Sequence, residues 1–257
     1  MPSTKAPARP PRDRASDEIV VGLRAGLAVL ARRPDAVQRV AFSHRVGREV
    51  EGALKRLRAR GVSCEAMADR DLERIAGTPQ HEGLCVAASP RPWTAPQDLA
   101  DRLARVRGTA IALDRVRNPY NIGAILRTAA FFGVDAAVVG APAPHPGLDP
   151  NAVRVAEGGA EELELSRTTD LKDTLARLRK AGVRVVAADQ AATVDARDYP
   201  FPRPCVLVMG NEREGLAPRV REECDATVAI RGTGAVESLN VAVAAGILIA
   251  HLARERG

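Results

Sequence analysis

The chain has 257 residues, with Lys+Arg 38 against Asp+Glu 32 and a net charge of +6, enough for one large domain or two ordinary ones and suited to a polyanionic partner such as RNA or DNA. Hydrophobic residues make up 46% and aromatics only 3%, so the expected core is aliphatic; the longest apolar run is too short for a confident membrane span, and the first residues lack a signal peptide's apolar segment. The four cysteines (Cys64, Cys85, Cys205, Cys224) form no CxxC pair and the four histidines no HExxH, which points to free thiols, no metal site and a cytoplasmic protein.

In chain order, residues 1–16, rich in Pro, Arg and Ala, read as a disordered basic tail. Residues 18–31 place Ile19, Leu23, Leu27 and Leu30 at helical spacing and predict a helix that stops before Pro34. A strand is expected at 37–43, an amphipathic helix at 48–60 ended by Gly61, and a strand at 62–66. A short helix follows at 69–76, with Asp69 as its N-cap, then a closing strand at 84–88. These make a small α/β unit over 17–90, followed by Ser89-Pro90-Arg91-Pro92 and a linker with a connecting helix over 91–107. From 108 to 257 apolar strands at 109–113, 136–139, 183–188, 205–209 and 227–230 alternate with helices. These helices lie at 122–132, at 170–180 (capped by Thr169 or Asp170 and closed by Gly182), near Ala217, and from Val241 onward as a buried apolar helix. That alternation predicts an α/β fold with a parallel sheet covered on both faces.

Three stretches carry the chemistry. In 112–130 a strand ends at Asp114, and a polar turn bearing Asn118, Pro119 and Asn121 leads through Gly123 into a helix with Arg127. In 205–218 a buried strand runs into Gly210, whose missing side chain would let a ligand approach the backbone, then Glu212 and Gly215. In 227–251 a short β-branched run gives way to Gly232-Thr233-Gly234, then to Glu237, Ser238 and Asn240 where the last helix begins. Free N–H groups at a helix start suit an anionic or polar ligand. A dinucleotide fingerprint fails here, because Glu237 stands where the third glycine belongs and no second strand follows.

In this order and spacing the stretches resemble the three motifs of the SpoU (TrmH) family of RNA 2′-O-methyltransferases, in the SPOUT superfamily. The first is Asn118-Pro119-x-Asn121-x-Gly123 with Arg127; the second Gly210, Glu212, Gly215 and Leu216; the third Ser238-Leu239-Asn240-Val241. Residues 17–90 resemble the family's small RNA-binding domain, with Val21-Gly22-Leu23 and Gln80-His81-Glu82-Gly83-Leu84 standing out. The resemblance implies a SPOUT domain with a deep trefoil knot, S-adenosyl-L-methionine as cofactor, a homodimer through that domain, and structured RNA as substrate, ribosomal RNA slightly favoured over transfer RNA. It implies that Gly210, Ile230 and Leu239 contact the cofactor and that Asn121, Arg127, Glu212, Ser238 and Asn240 form the reactive centre.

The electrophile in such chemistry is already a sulfonium methyl, so the protein has to place a ribose 2′-hydroxyl and manage its proton. Arg127 is the family's proposed base, yet arginines stay protonated in proteins, which gives equal weight to alkoxide stabilisation or a phosphate grip. Glu212 is expected to hold the arginine fork, and Ser238 and Asn240 to orient it or the hydroxyl. The chain departs from the family at Arg231-Gly232-Thr233-Gly234, where a proline and a methionine usually follow the isoleucine, and at Ala242, often a serine. The alternative reading is an inactive paralogue that binds RNA or assists ribosome assembly.

Overall fold

The computed structural model describes residues 17–140 and 148–254; the tail expected over 1–16 lies outside them. The N-terminal unit is a four-stranded sheet of β1 (Glu18–Val21), β2 (Val37–Ser43), β3 (Ser63–Met67) and β4 (Leu84–Ala88), in the order β1-β4-β2-β3. β4 runs antiparallel to both neighbours and β2 pairs with β3 in parallel. Helices α1 (Leu23–Arg32), α2 (Gly47–Ala59) and α3 (Asp69–Ala76) cover it.

Two expectations fail here. The helix read over 18–31 is a strand and a helix, because the β-branched run Ile19-Val20-Val21 pairs with β4 and Gly22, at φ 110, breaks the path between them. α1 has no cap of its own; Glu82, itself at φ 51, reaches back to accept the Leu23 N–H at 3.0 Å. Asp69 is the first helical residue of α3, not its N-cap, which is Ala68 with no side-chain bond. The Asp69 carboxylate turns to Ser43 and Arg45, which hold it below the usual carboxylate range.

The C-terminal sheet has seven strands, all parallel: β5 (Thr109–Asp114), β6 (Ala136–Gly140), β7 (Glu164–Thr168), β8 (Arg184–Ala188), β9 (Val194–Asp195), β10 (Cys205–Met209) and β11 (Ala226–Ala229). Their order is β7-β6-β5-β10-β8-β11-β9, so the chain builds outward from β5 on one side and then returns to the other. The helices are α4 (Pro96–Val106), α5 (Pro119–Phe131), α6 (Pro150–Val155), α7 (Gly159–Glu162), α8 (Leu171–Lys180), α9 (Pro218–Arg221) and α10 (Val241–Arg254). Strand residues alternate between two cores. Ile111, Leu113, Leu207 and Met209 pack with α5, α6 and α10, while Ala110, Ala112, Val206 and Val208 pack with α4, α8 and α9. Asp170 caps α8 by accepting the Asp173 N–H, and Gly182 follows its end at φ 86. β7, β9, α6 and α7 have no counterpart in the sequence reading; β7 is an edge strand whose Ser166, Arg167 and Thr168 obscure its period.

Ser89-Pro90-Arg91-Pro92 is no loose tether. The Arg91 side chain is 5% exposed and meets Glu18 and Glu161, which also receive Arg33, and Arg91 donates to the Ala160 carbonyl at 3.1 Å. Val153 of α6 belongs to the core of the N-terminal unit, so the two sheets share an apolar and an ionic joint. The cysteines are free, and desolvation pushes the thiols of Cys205 and Cys224 up to about 12 and that of Cys85 to about 11, which keeps them unreactive near neutrality.

Candidate active site

The site lies at the carboxyl ends of β5, β10 and β11, where the chain reverses its order of strand addition and where open parallel sheets gather ligands. Asp114 closes β5 and accepts the Ala217 N–H at 2.7 Å. Arg115, in the left-handed region at φ 57, pairs with Glu214 and donates to the Gly215 carbonyl at 3.0 Å. Asn211 donates to the Arg115 carbonyl at 3.0 Å, accepts the Arg213 N–H at 2.9 Å, and exchanges two backbone bonds with Gly215. The loop over 210–217 is thus folded tightly onto itself. A Cβ on Gly210 would lie 2.5 Å from the Gly215 carbonyl carbon, so the missing side chain makes room for the loop's own backbone.

Asn118 caps α5 by accepting the Tyr120 N–H at 2.9 Å, and Pro119 takes the first helical position, where its missing N–H costs nothing. Asn121 then sits in the first turn. Its amide nitrogen donates to Glu212 Oε1, and its amide oxygen accepts from Asn240 Nδ2 at 3.1 Å. Asn240 in turn accepts the Ala242 N–H at 2.8 Å and so caps α10. One side chain therefore joins all three sequence motifs. Gly123 is interior to α5 instead of opening it, and its bare Cα seats α6, since a Cβ would come 2.5 Å from the Ala152 carbonyl.

Arg127 projects from the next turns of α5, 56% exposed, and forms an ion pair with Glu157 at 2.8 Å. The expectation that Glu212 holds this arginine is not met: Glu212 bonds Asn121 through Oε1, and Arg127 pairs with Glu157 instead; nor does Asn240 turn to it, being bonded to Asn121. Ser238 lies on the exposed loop 231–240, which also presents Val236 at 72% and Leu239 at 43% exposure, while Ile230 packs partly buried on the core. At the family's proline position, Arg231 fastens this loop to the preceding one by donating to the carbonyls of Ala192 at 2.6 Å and Thr193 at 3.1 Å. α10 is not buried all round: Val243 is 52% and Ile247 37% exposed.

Arg115, Asn211 and Glu157 escaped the sequence reading. The first two were legible only as part of a polar turn. The signal for Glu157 was the Gly158-Gly159 pair behind it, which marks a close backbone approach.

The SpoU rRNA methylase family model matches residues 108–250, and the model for the substrate-binding unit of RNA 2′-O-ribose methyltransferases matches 19–94. The chain belongs to the SpoU methylase family. Among SpoU relatives, the 23S rRNA (guanosine-2′-O-)-methyltransferase RlmB of Acinetobacter baylyi is 38% identical over 201 residues, 76% of this chain and 80% of that protein. An uncharacterized tRNA/rRNA methyltransferase of Mycolicibacterium paratuberculosis is 31% identical over 97% of this chain and 81% of its own. An rRNA methyltransferase from Sinorhizobium meliloti, solved with AdoMet bound, superposes with a TM-score of 0.78 at 26% identity, covering 95% of this chain and 90% of that one. The SpoU methyltransferase AviRb of Streptomyces viridochromogenes, in complex with AdoMet, gives 0.73 at 28% identity over 95% and 92%.

Proposed function

We infer that this protein is an RNA ribose 2′-O-methyltransferase that uses S-adenosylmethionine. The observation that carries the reading is the Asn240–Asn121–Glu212 chain of hydrogen bonds, which gathers the three SpoU motifs at one sheet edge. The donor set suits the cofactor: exposed apolar Val236 and Leu239, half-buried Ile230 and the backbone around Gly210 offer apolar and peptide surface to a nucleoside and a thioether chain. When bound, the cofactor supplies an electrophilic methyl. Asn121, Glu212 and Asn240 fix the loops around it, Ser238 orients the ribose hydroxyl, and Arg127 stabilises the oxygen as it loses its proton or grips the adjacent phosphate. The RlmB relative favours ribosomal RNA as substrate, with residues 17–90 docking it and 108–257 carrying out transfer in the cytoplasm.

Two finer features complete the reading. The Ala196 N–H bonds to the Ala229 carbonyl and Arg231 reaches back to Ala192 and Thr193, which supports threading of the segment after β11 through the preceding loop as a trefoil knot. Closing the chain ends of a crystal structure and finding no knot would refute that. Tyr120, Phe131, Val243 and Ile247 leave apolar surface on the α5 and α10 side, which supports a homodimer there.

The decisive test is labelling of RNA from a strain lacking this gene with tritiated S-adenosylmethionine, followed by nucleotide mapping. Arg127→Ala is expected to lower the rate by about a hundredfold or more while calorimetric cofactor binding persists. RNA binding without cofactor binding by the wild-type protein would sink the enzyme reading.

A further inference from the structure

Arg127, like Ser238, stands outside the hydrogen-bonded chain through Asn121, and its partner comes from the turn between α6 and α7. That turn is built for close approach. Glu157 adopts φ 45, a left-handed conformation unfavourable for a side-chain-bearing residue, and Gly158 follows at φ 94. A Cβ on Gly159 would lie 2.9 Å from the Leu126 carbonyl oxygen and 3.0 Å from the Arg127 Cα, so only glycine lets the turn's backbone press against α5 at this point. On the opposite side a Cβ on Gly158 would come within 2.9 Å of the Ala28 Cβ on α1. The turn is wedged between the N-terminal unit and the helix that carries the arginine.

The turn's backbone packs the two units together, but the ion pair it carries adds little to that packing. With side chains 56% and 39% exposed, the Arg127–Glu157 pair contributes little to folding, while Glu157 bears an unfavourable backbone geometry. A left-handed residue that also delivers a charge to a reactive side chain is a candidate for function beyond packing. We propose that Glu157 is the positioning residue of Arg127: its carboxylate engages Nη1 and fixes the direction of the guanidinium, so that the rest of the fork faces the RNA. The proposal rests on Arg127 belonging to the reactive centre. It differs from the expected arrangement, in which Glu212 would play this part, because Glu212 is committed to Asn121.

The test uses the full chain, tritiated S-adenosylmethionine and RNA from a strain lacking this gene. Glu157→Gln keeps the side chain's shape and removes its charge. The rate at saturating RNA should fall at least about tenfold, with KM for RNA and cofactor affinity changed less than about threefold, because a misaimed catalytic group loses rate more than binding. Glu157→Asp, which restores the charge and tolerates positive φ, should recover most of the rate. In an Arg127→Lys background, where no fork remains to be aimed, Glu157→Gln should change the rate by less than about twofold. Wild-type rates in Glu157→Gln, or an equal loss in the lysine background, overturn the proposal and leave the methyltransferase reading standing. Absence of labelling by the wild-type protein overturns both.

Discussion

At the residue scale, Asn121 is the point on which the site turns. Its amide offers a donor to Glu212 and an acceptor to Asn240 on two separate atoms, so one short side chain serves both. Asn121→Asp keeps the size and sets two carboxylates face to face. The loops after β5 and β10 should part and activity fall by about tenfold or more, the cost of a lost charge-assisted bond. Two facing carboxylates share a proton more readily than either alone, so the new pair titrates upward. Initial rates between about pH 6 and 9 should therefore show this variant recovering, relative to wild type, as pH falls. A pH-independent deficit would show that repulsion between the two carboxylates is not its cause. Asn121 and Asn240 were legible as site residues because they stood in motifs. Their bond to each other was not, since no local spacing reports a contact across 119 positions of sequence. Glu157 lay outside every motif, and its contact with Arg127 arises from tertiary packing that the sequence pattern does not encode.

At the element scale, strands with two buried faces were read correctly because their interior residues are apolar, as in β5, β6 and β10. β7 was missed because an edge strand needs no apolar run on its open side, and β1 because its β-branched residues coincided with helical spacing before Gly22. α10 was read as wholly buried, yet it carries two faces. Val241, Ala245, Leu248 and Ile249 enter the core, and Val243 and Ile247 face outward near α5, whose Phe131 is 83% exposed. In the homodimer proposed above, a second copy of the chain would cover this outward apolar face. Phe131→Glu together with Ile247→Glu should turn a dimer into a monomer in light scattering, with the melting temperature of the monomer otherwise preserved. Unchanged mass for the double variant would exclude this face from the interface.

At the scale of the whole molecule, the two sheets are joined by a nearly dry ionic cluster. Arg33 and Arg91 share Glu18 and Glu161, with the Glu161 side chain only 4% exposed. Removing one member of such a group strands the others' charge, so Glu161→Ala should destabilise the protein by about 3–5 kcal/mol. The urea midpoint should drop with an unchanged slope, whereas a shift under about 1 kcal/mol would mean that water reaches the joint. The same long-range architecture governs when the enzyme comes into being. β5, a central strand, waits for β10 to cover its open edge, and Asn121 waits for Asn240, which arrives with the final helix. A ribosome making this chain has to reach Asn240 before the candidate site can assemble. Chains stopped short of α10 have neither the cap nor the core residues that close the sheet, so the three motif stretches cannot be joined until that helix has been made.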